Sequence, residues 1–275
     1  MSATHARKKP FLRLATAAVA MVAALGMAAC SGGASTSSSS SSSAQVGDRS
    51  PEQIKEAGEI VIGIFSDKAP FGYIDADGKP AGYDVVYGDR IAADLGVTAK
   101  YVPVDAAART EVLQSNKVDI TLANFTVTPE RAEKVDFANP YFKVSLGVVS
   151  PTSAEITDVS QLAGKTLIVT KGTTAEAYFE ANHPEVKLQK YDQYSDAYQA
   201  LEDGRGDAFS TDNTEVIAWA IAHPGFGVGI KSLGETSYIA AAVKKGNTAL
   251  LDWLNNQLVE LGQENFFHKD YEQTL

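Results

Sequence analysis

From residue 59 onward, apolar and polar positions alternate between two rhythms. Short, nearly unbroken apolar runs mark strands buried on both faces: "EIVIGIF" (59–65), "TAKYVPV" (98–104) and "VDITLAN" (118–124). Between them the spacing is helical. Gly88, Ile91, Ala92 and Leu95 share one face, with Asp84 as the expected N-cap and Gly96 as the stop. Asp105 is the expected cap of "AAARTEVLQSNK" (106–117), and "YIDADGKPAGYD" (73–84) reads as two extended pieces around an Asp-Gly turn. Strand alternating with helix predicts an α/β fold.

After "FANPYFKVSLGVVS" (137–150) the rhythm restarts. "DVSQLAGKTLIVTKGTTAEAYFEAN" (158–182) reads as helix, strand, tight glycine turn, helix. A strand in "EVKLQKYD", a helix in "SDAYQALEDG" and a strand feeding a helix in "RGDAFSTDNTEVIAWAIAH" follow. The halves echo each other in "LQSNKVDITLAN" and "LEDGRGDAFSTD", which predicts two similar lobes. The tail from Thr248 is helical and amphipathic through Leu250, Leu251, Leu254, Leu258 and Leu261. Two lobes leave a cleft, a preferred seat for small ligands, and loops at the carboxyl ends of strands face it.

The first 50 residues change the picture of where the protein works. Arg7, Lys8, Lys9 and Arg13 precede an apolar run over 14–25 that ends in "MAAC", the layout of a secretory signal over 1–29. The run is too short for an ordinary transmembrane helix. Cys30, the only cysteine in the chain, stands at the expected cut. The segment resembles the lipobox of bacterial lipoproteins, with Met27 where an aliphatic residue is usual, which implies a lipid on Cys30. The Ser/Gly-rich stretch over 30–50 is then a flexible tether. The expectation is an exported protein held on the outer face of the cell membrane. With Cys30 lipidated, no thiol remains for disulfides, metal or catalysis.

Charge removes one class of partner. The 24 basic against 34 acidic residues give a net charge of −10, and the leader holds four of the basic ones. A chain this acidic lacks the basic face of a nucleic-acid binder.

Three cleft-facing loops carry the candidate chemistry. "ANFTVTPER" (123–131) supplies Asn124, the Thr126 hydroxyl and, after Pro129, the planar fork of Arg131. "TKGTTAE" (170–176) turns at Gly172 and opens a helix at Thr173 and Thr174, whose free N–H groups suit a carboxylate. "STDNTE" (210–215) places Asp212 where a strand becomes a helix, able to receive a cation. Together they form a clamp for a zwitterion: α-carboxylate on Arg131 and the Thr174 N–H, α-ammonium on Asp212 and Thr126. Thr173, Thr174 and Asp212 are also ordinary helix caps, and Arg109 reads equally as a solvated helix residue.

The segments "APFGYIDADGKPAGYDVV", "NKVDITLANFTVTPERAEKVDFANPYF", "LAGKTLIVTKGTTAEAYF" and "GRGDAFSTDN" resemble the polar amino-acid-binding proteins of bacterial ABC importers, family 3 of the extracellular solute-binding proteins. The resemblance spans nearly everything from about Glu52 onward. It implies a type II periplasmic-binding fold, with 51–145 and 242–275 in lobe 1 and 146–241 in lobe 2. Two hinge strands, near 141–150 and 237–243, would join them. It also implies closure of a monomer around one free amino acid and delivery to a membrane permease, with neither cofactor nor metal. It matches Arg131 to the carboxylate-holding arginine, with Thr174 and Asp212 at the equivalent loops.

Binders of basic ligands in that family often carry an acid where this chain has Phe65, which counts against lysine, arginine and histidine. Phe65, Phe71, Tyr73 and Phe125 are expected as apolar walls. Arg109 matches an arginine that some acidic-ligand binders turn to the side chain, keeping glutamate and aspartate open, and glutamine stands with them as an alternative. "LANFTVTPERAEKVDF", "KGTTAEAYF", "RGDAFSTDNT" and "LGQENFFHKDYEQTL" look most like the cysteine-binding lipoproteins, which favours cysteine or cystine.

Enzymes and sensor domains are the rival classes, since dehydratases of cyclic acids use this fold. His183, His223 and His268 are scattered, two of them before proline. H-E-x-x-H and G-x-S-x-G motifs are missing, and "GFGVG" lacks dinucleotide-loop spacing. No catalytic residue is expected.

Overall fold

A computed structural model describes residues 45–275. The expected signal segment, Cys30 and most of the tether lie outside the described residues. The end of the expected tether does not behave as one. Gly47 N donates to Asp119 Oδ1 at 3.0 Å, and the buried Arg49 guanidinium pairs with the fully buried Asp119 carboxylate. Asn247 donates to the carbonyls of both Gly47 and Arg49. The reason is electrostatic: Asp119, sealed in the core at the foot of a strand, requires a cation, and Arg49 supplies it.

The first lobe begins with α1 (Pro51–Ala57), closed by a Ser50–Gln53 capping box and by Gly58 in the left-handed region. It continues through β1 (Glu59–Ile64), β2 (Asp67–Lys68), β3 (Gly72–Ile74), β4 (Pro80–Ala81), α2 (Tyr83–Leu95) and β5 (Thr98–Pro103). Next come α3 (Arg109–Gln114), β6 (Ile120–Thr121), α4 (Pro129–Ala132) and β7 (Val135–Phe137). The second lobe holds β8 (Phe142–Pro151), β9 (Thr166–Thr170), α5 (Thr174–Asn182) and β10 (Lys187–Tyr191). It is completed by α6 (Tyr194–Glu202), β11 (Ala208–Asp212), α7 (Asn213–Ala222) and β12 (Phe226–Ile239). β13 (Ala242–Lys244), α8 (Thr248–Gln263) and α9 (Phe266–Thr274) close the chain.

Each lobe is built on a five-stranded sheet, ordered β5-β1-β6-β13-β7 and β10-β9-β11-β8-β12. β1 runs parallel to β5 and β6, and β9 parallel to β10 and β11. The chain crosses between the sheets after β7 and returns after β12. The two crossings pair with each other, Tyr141 N donating to Ile239 O and Ala138 N to Ala241 O. This is the type II periplasmic-binding architecture, two α/β lobes on a double-stranded connection.

Strand periodicity explains the cores. Ile60, Ile62 and Ile64 of β1 face a cluster with Tyr87, Ile91 and Leu95 of α2, while Val61 and Phe65 face a second cluster that continues into the other lobe through Tyr194 and Phe209. Leu250, Leu254 and Leu261 of α8 are fully buried in the first cluster, each worth about 1.5–3 kcal/mol, which fixes the tail to the first lobe. The tail is two helices rather than one, broken at Asn265, which takes φ +55°. "VDITLAN" forms only a two-residue strand, because Ala123 and Asn124 turn into the left-handed region. Asp84 does not cap as expected, and Asp105 takes the N-cap position at Ala106 without a side-chain cap bond. Gly82 is the N-cap of α2, and the Asp105 carboxylate accepts from Gln193 in the other lobe. Among the described residues no helix is long and apolar enough to cross a membrane.

Candidate functional site

The loop after β6 is held in its turn from two sides. Asp84, fully buried, accepts the Asn124 N–H at 2.6 Å on one oxygen and the Tyr141 hydroxyl at 2.7 Å on the other. Burial raises its carboxyl to about 6 against the pull of those two hydrogen bonds. From the opposite side Arg109 donates to the carbonyls of Ala123 and Asn124 at 3.1 and 3.0 Å. Arg109 is therefore buried and not a solvated helix residue; its guanidinium lies against the rings of Phe65 and Phe125.

Arg131 sits on α4, a single turn whose N-cap Thr128 accepts the Arg131 N–H and whose first residue is Pro129. Its guanidinium rests against Phe125 and donates to Thr126 O at 2.7 Å and to Gly172 O in the second lobe at 2.8 Å. Arg109 donates to the same Gly172 carbonyl at 3.2 Å. Every hydrogen bond the two guanidiniums make among the described residues thus ends on a backbone carbonyl. Burial, and then the neighbouring Arg109 charge, push Arg131 down to about 9; burial lowers Arg109 as well. Two desolvated cations converging on one carbonyl favour an incoming anion.

Across the cleft Thr173 caps α5, its hydroxyl accepting the Glu176 N–H, so α5 starts at Thr174. Asp212 occupies the N-cap position of α7 but makes no side-chain cap bond. Its Oδ2 instead accepts Asn124 Nδ2 at 2.6 Å and Lys68 Nζ at 3.1 Å. Asn124 Oδ1 is buried and has no partner among the described residues. Asn124, Thr126, Arg109, Thr173, Thr174 and Asp212 line one narrow cavity between the lobes. Arg131, Phe125, Thr173 and Thr174 line a wider outer pocket of about 850 Å3. The two threonines border both.

Three expected walls are elsewhere. Phe71 is fully buried in the first lobe's core against Tyr83 and Phe142, and Phe65 lies in the second cluster edge-on to Tyr194. Tyr73 lies on the central strand of the small sheet, between Asp67 and Ala81. Phe71 thus turns into the first lobe's core, whereas the Phe65 ring faces Tyr194 of the second lobe beside Lys68. Of the expected aromatic walls only Phe125 lines a pocket.

The sequence reading missed Lys68, Tyr194 and Glu215. Lys68 is 1% exposed and pairs with Asp212 and Glu215. A lysine ahead of "APFGY", and a second acid three residues after Asp212, were the only signals. Among the described residues no group of three or more His, Cys, Asp or Glu side chains could hold a metal.

Residues 60–273 match the bacterial extracellular solute-binding proteins, family 3. Among solved structures, the solute receptor for L-cysteine of Neisseria gonorrhoeae is 50% identical with a TM-score of 0.81, covering 82% of this chain and 94% of that one. The cysteine-binding protein of Campylobacter jejuni is 52% identical with a TM-score of 0.80, covering 82% and 92%. The ABC transporter glutamine-binding protein GlnH of Bacillus subtilis is 28% identical over 227 residues, 81% of this chain and 83% of that protein. The chain belongs to family 3 of the bacterial extracellular solute-binding proteins.

Proposed function

We propose that this chain is the ligand-binding component of an amino-acid ABC importer, and that it closes on cysteine or cystine and presents it to a membrane permease. The carrying observation is the pair of guanidiniums, buried Arg109 and part-buried Arg131, with only carbonyl partners, set across a narrow cavity from the Asp212 carboxylate. The ligand's carboxylate takes the Arg131 fork and the Thr174 N–H. Its ammonium takes Asp212, with the unpartnered Asn124 Oδ1 and the Thr126 hydroxyl beside it. Arg109 holds the Asn124 turn in place and adds positive potential behind the carboxylate.

Magnitude supports such a clamp. Micromolar binding needs about 8 kcal/mol, and small ligands yield at most about 1.5 kcal/mol per heavy atom. A seven-atom amino acid must therefore use nearly all its atoms, and charge-assisted contacts at both ends are the efficient way. The choice of ligand rests on the two cysteine-named relatives at 50 and 52% identity. Glutamine is the second reading, on the strength of the Bacillus subtilis relative. Lipid on Cys30 would keep the domain beside its permease, and Cys30→Ser should move the protein from the detergent phase to the aqueous phase in detergent partitioning.

The test is thermal unfolding of residues 45–275, stripped of carried-over ligand by partial unfolding, against every amino acid and cystine, with Arg131→Ala in parallel. Ligand at a thousand times its Kd adds roughly 4 kcal/mol. Stabilisation by cysteine or cystine, lost in Arg131→Ala, is expected. A shift with glutamine or glutamate instead retains the clamp and removes the cysteine assignment. No shift with any amino acid removes both.

A further inference from the structure

The most heavily built charged contact in the cleft belongs to no ligand. Lys68, on β2 of the first lobe, crosses to the second lobe and finds all its polar partners there. Its Nζ lies 2.7 Å from Glu215 Oε2, 3.1 Å from Asp212 Oδ2, 2.9 Å from the Tyr194 hydroxyl and 3.3 Å from Thr211 Oγ1. The same nitrogen stands 4.2 Å from the ring centroid of Tyr194, with Phe65 and Phe71 at 5.6 and 5.9 Å. Two carboxylates, two hydroxyls and three rings form a seat for one cation. Tyr194, Thr211 and Asp212 also line the small cavity, so this seat adjoins the ligand's.

We propose that Lys68 is the charge-selecting residue of the cleft: its ammonium fills a cation seat that a basic amino acid's side chain would otherwise take, so basic amino acids are turned away. Charge balance in the cleft requires this. Asp212 and Glu215 carry two buried negative charges, Lys68 answers one, and the ligand's α-ammonium answers the other. A second ligand cation would meet Lys68 in a desolvated space, where like charges repel strongly. Without Lys68 the two carboxylates call for two cations, which ornithine or lysine brings and cysteine does not. Glu215 has no other cation; its remaining partners are the hydroxyls of Tyr198 and Thr211. This inference rests on the amino-acid reading above.

Lys68→Met should bind ornithine or lysine at least about tenfold more tightly than the parent does, and cysteine at least about tenfold more weakly. Adding Glu215→Gln should cancel the gain for basic ligands. A second measurement needs no amino acid: Lys68→Ala leaves a space of the size of n-propylammonium, which should raise that variant's melting temperature and not the parent's. Lys68→Met that loses cysteine without gaining a basic ligand, together with Lys68→Ala indifferent to propylammonium, would make Lys68 a structural strut and overturn the proposal. If the parent binds no amino acid, the functional reading fails, and the propylammonium result alone decides whether the seat exists. Should Lys68→Met not fold, Lys68→Ala folded with propylammonium present carries the test, and no rescue counts against the seat.

Discussion

One methyl group at Gly172 should hold the lobes apart. Gly172 has φ +72°, and a Cβ there would lie 2.5 Å from Ala107 Cα and 2.7 Å from Ala107 N, on the opposite lobe. Carbon contacts settle at about 3.5–4.0 Å, so relief requires the two backbones to part by about 1 Å. That movement stretches the Arg131 and Arg109 bonds to Gly172 O, at 2.8 and 3.2 Å, to or beyond the hydrogen-bond limit. A ligand gripped from both lobes then loses one wall, and a loss of about 1.4–2.7 kcal/mol corresponds to about 10- to 100-fold in Kd. The left-handed backbone adds about 1–2 kcal/mol of strain of its own. Gly78→Ala isolates that strain, since Gly78 has φ +77° and nothing within 4 Å of its added Cβ. Calorimetric titration reads affinity, and small-angle scattering with and without ligand reads closure. Gly172→Ala that binds and contracts like Gly78→Ala would refute the reasoning.

Three further outcomes follow from the same geometry. Asp212→Asn removes the ammonium's counter-charge and one carboxylate of Lys68, and calorimetry should find binding at least about 30-fold weaker. Arg49→Met strands the buried Asp119 and should cost about 3–5 kcal/mol in denaturant unfolding, with ligand affinity in the native protein unchanged. Asp270 is buried, with burial first and Asp84 second pushing it up from 3.8 to about 7. The folded state therefore binds the proton more readily, and stability falls as pH rises from 3.8 through about 7. Asp270→Asn should raise the melting temperature at about pH 8 and change it little near about pH 4; a gain that is the same at both would contradict this.

Much of the architecture, and the polar residues that the fold gathers at the candidate cavity, are legible in the sequence for one physical reason. Asn124, Thr126, Thr174 and Asp212 sit at strand ends, and strand ends in an α/β lobe face the cleft. What stayed hidden depends on distance along the chain. Lys68 meets Tyr194 and Glu215 from across the cleft, more than a hundred residues away, and no local pattern encodes such a contact. Asp84 looks like a cap because it precedes a helical stripe; only the fold shows its carboxylate turned inward to Asn124 and Tyr141. Phe71 is expected in the cleft because its loop is there, yet the reversal after β1 returns its ring to the first lobe's core, while Phe65 stays between the lobes against Tyr194.

The central claim is the orientation of a zwitterion between Arg131 and Asp212, and the most direct measurement is a crystal structure with L-cysteine bound under reducing conditions. The carboxylate is expected on the Arg131 guanidinium and the Thr174 N–H, and the ammonium on Asp212, inside the cavity between the lobes. A ligand seated only in the outer pocket, or one whose carboxylate makes no contact with Arg131, would contradict it.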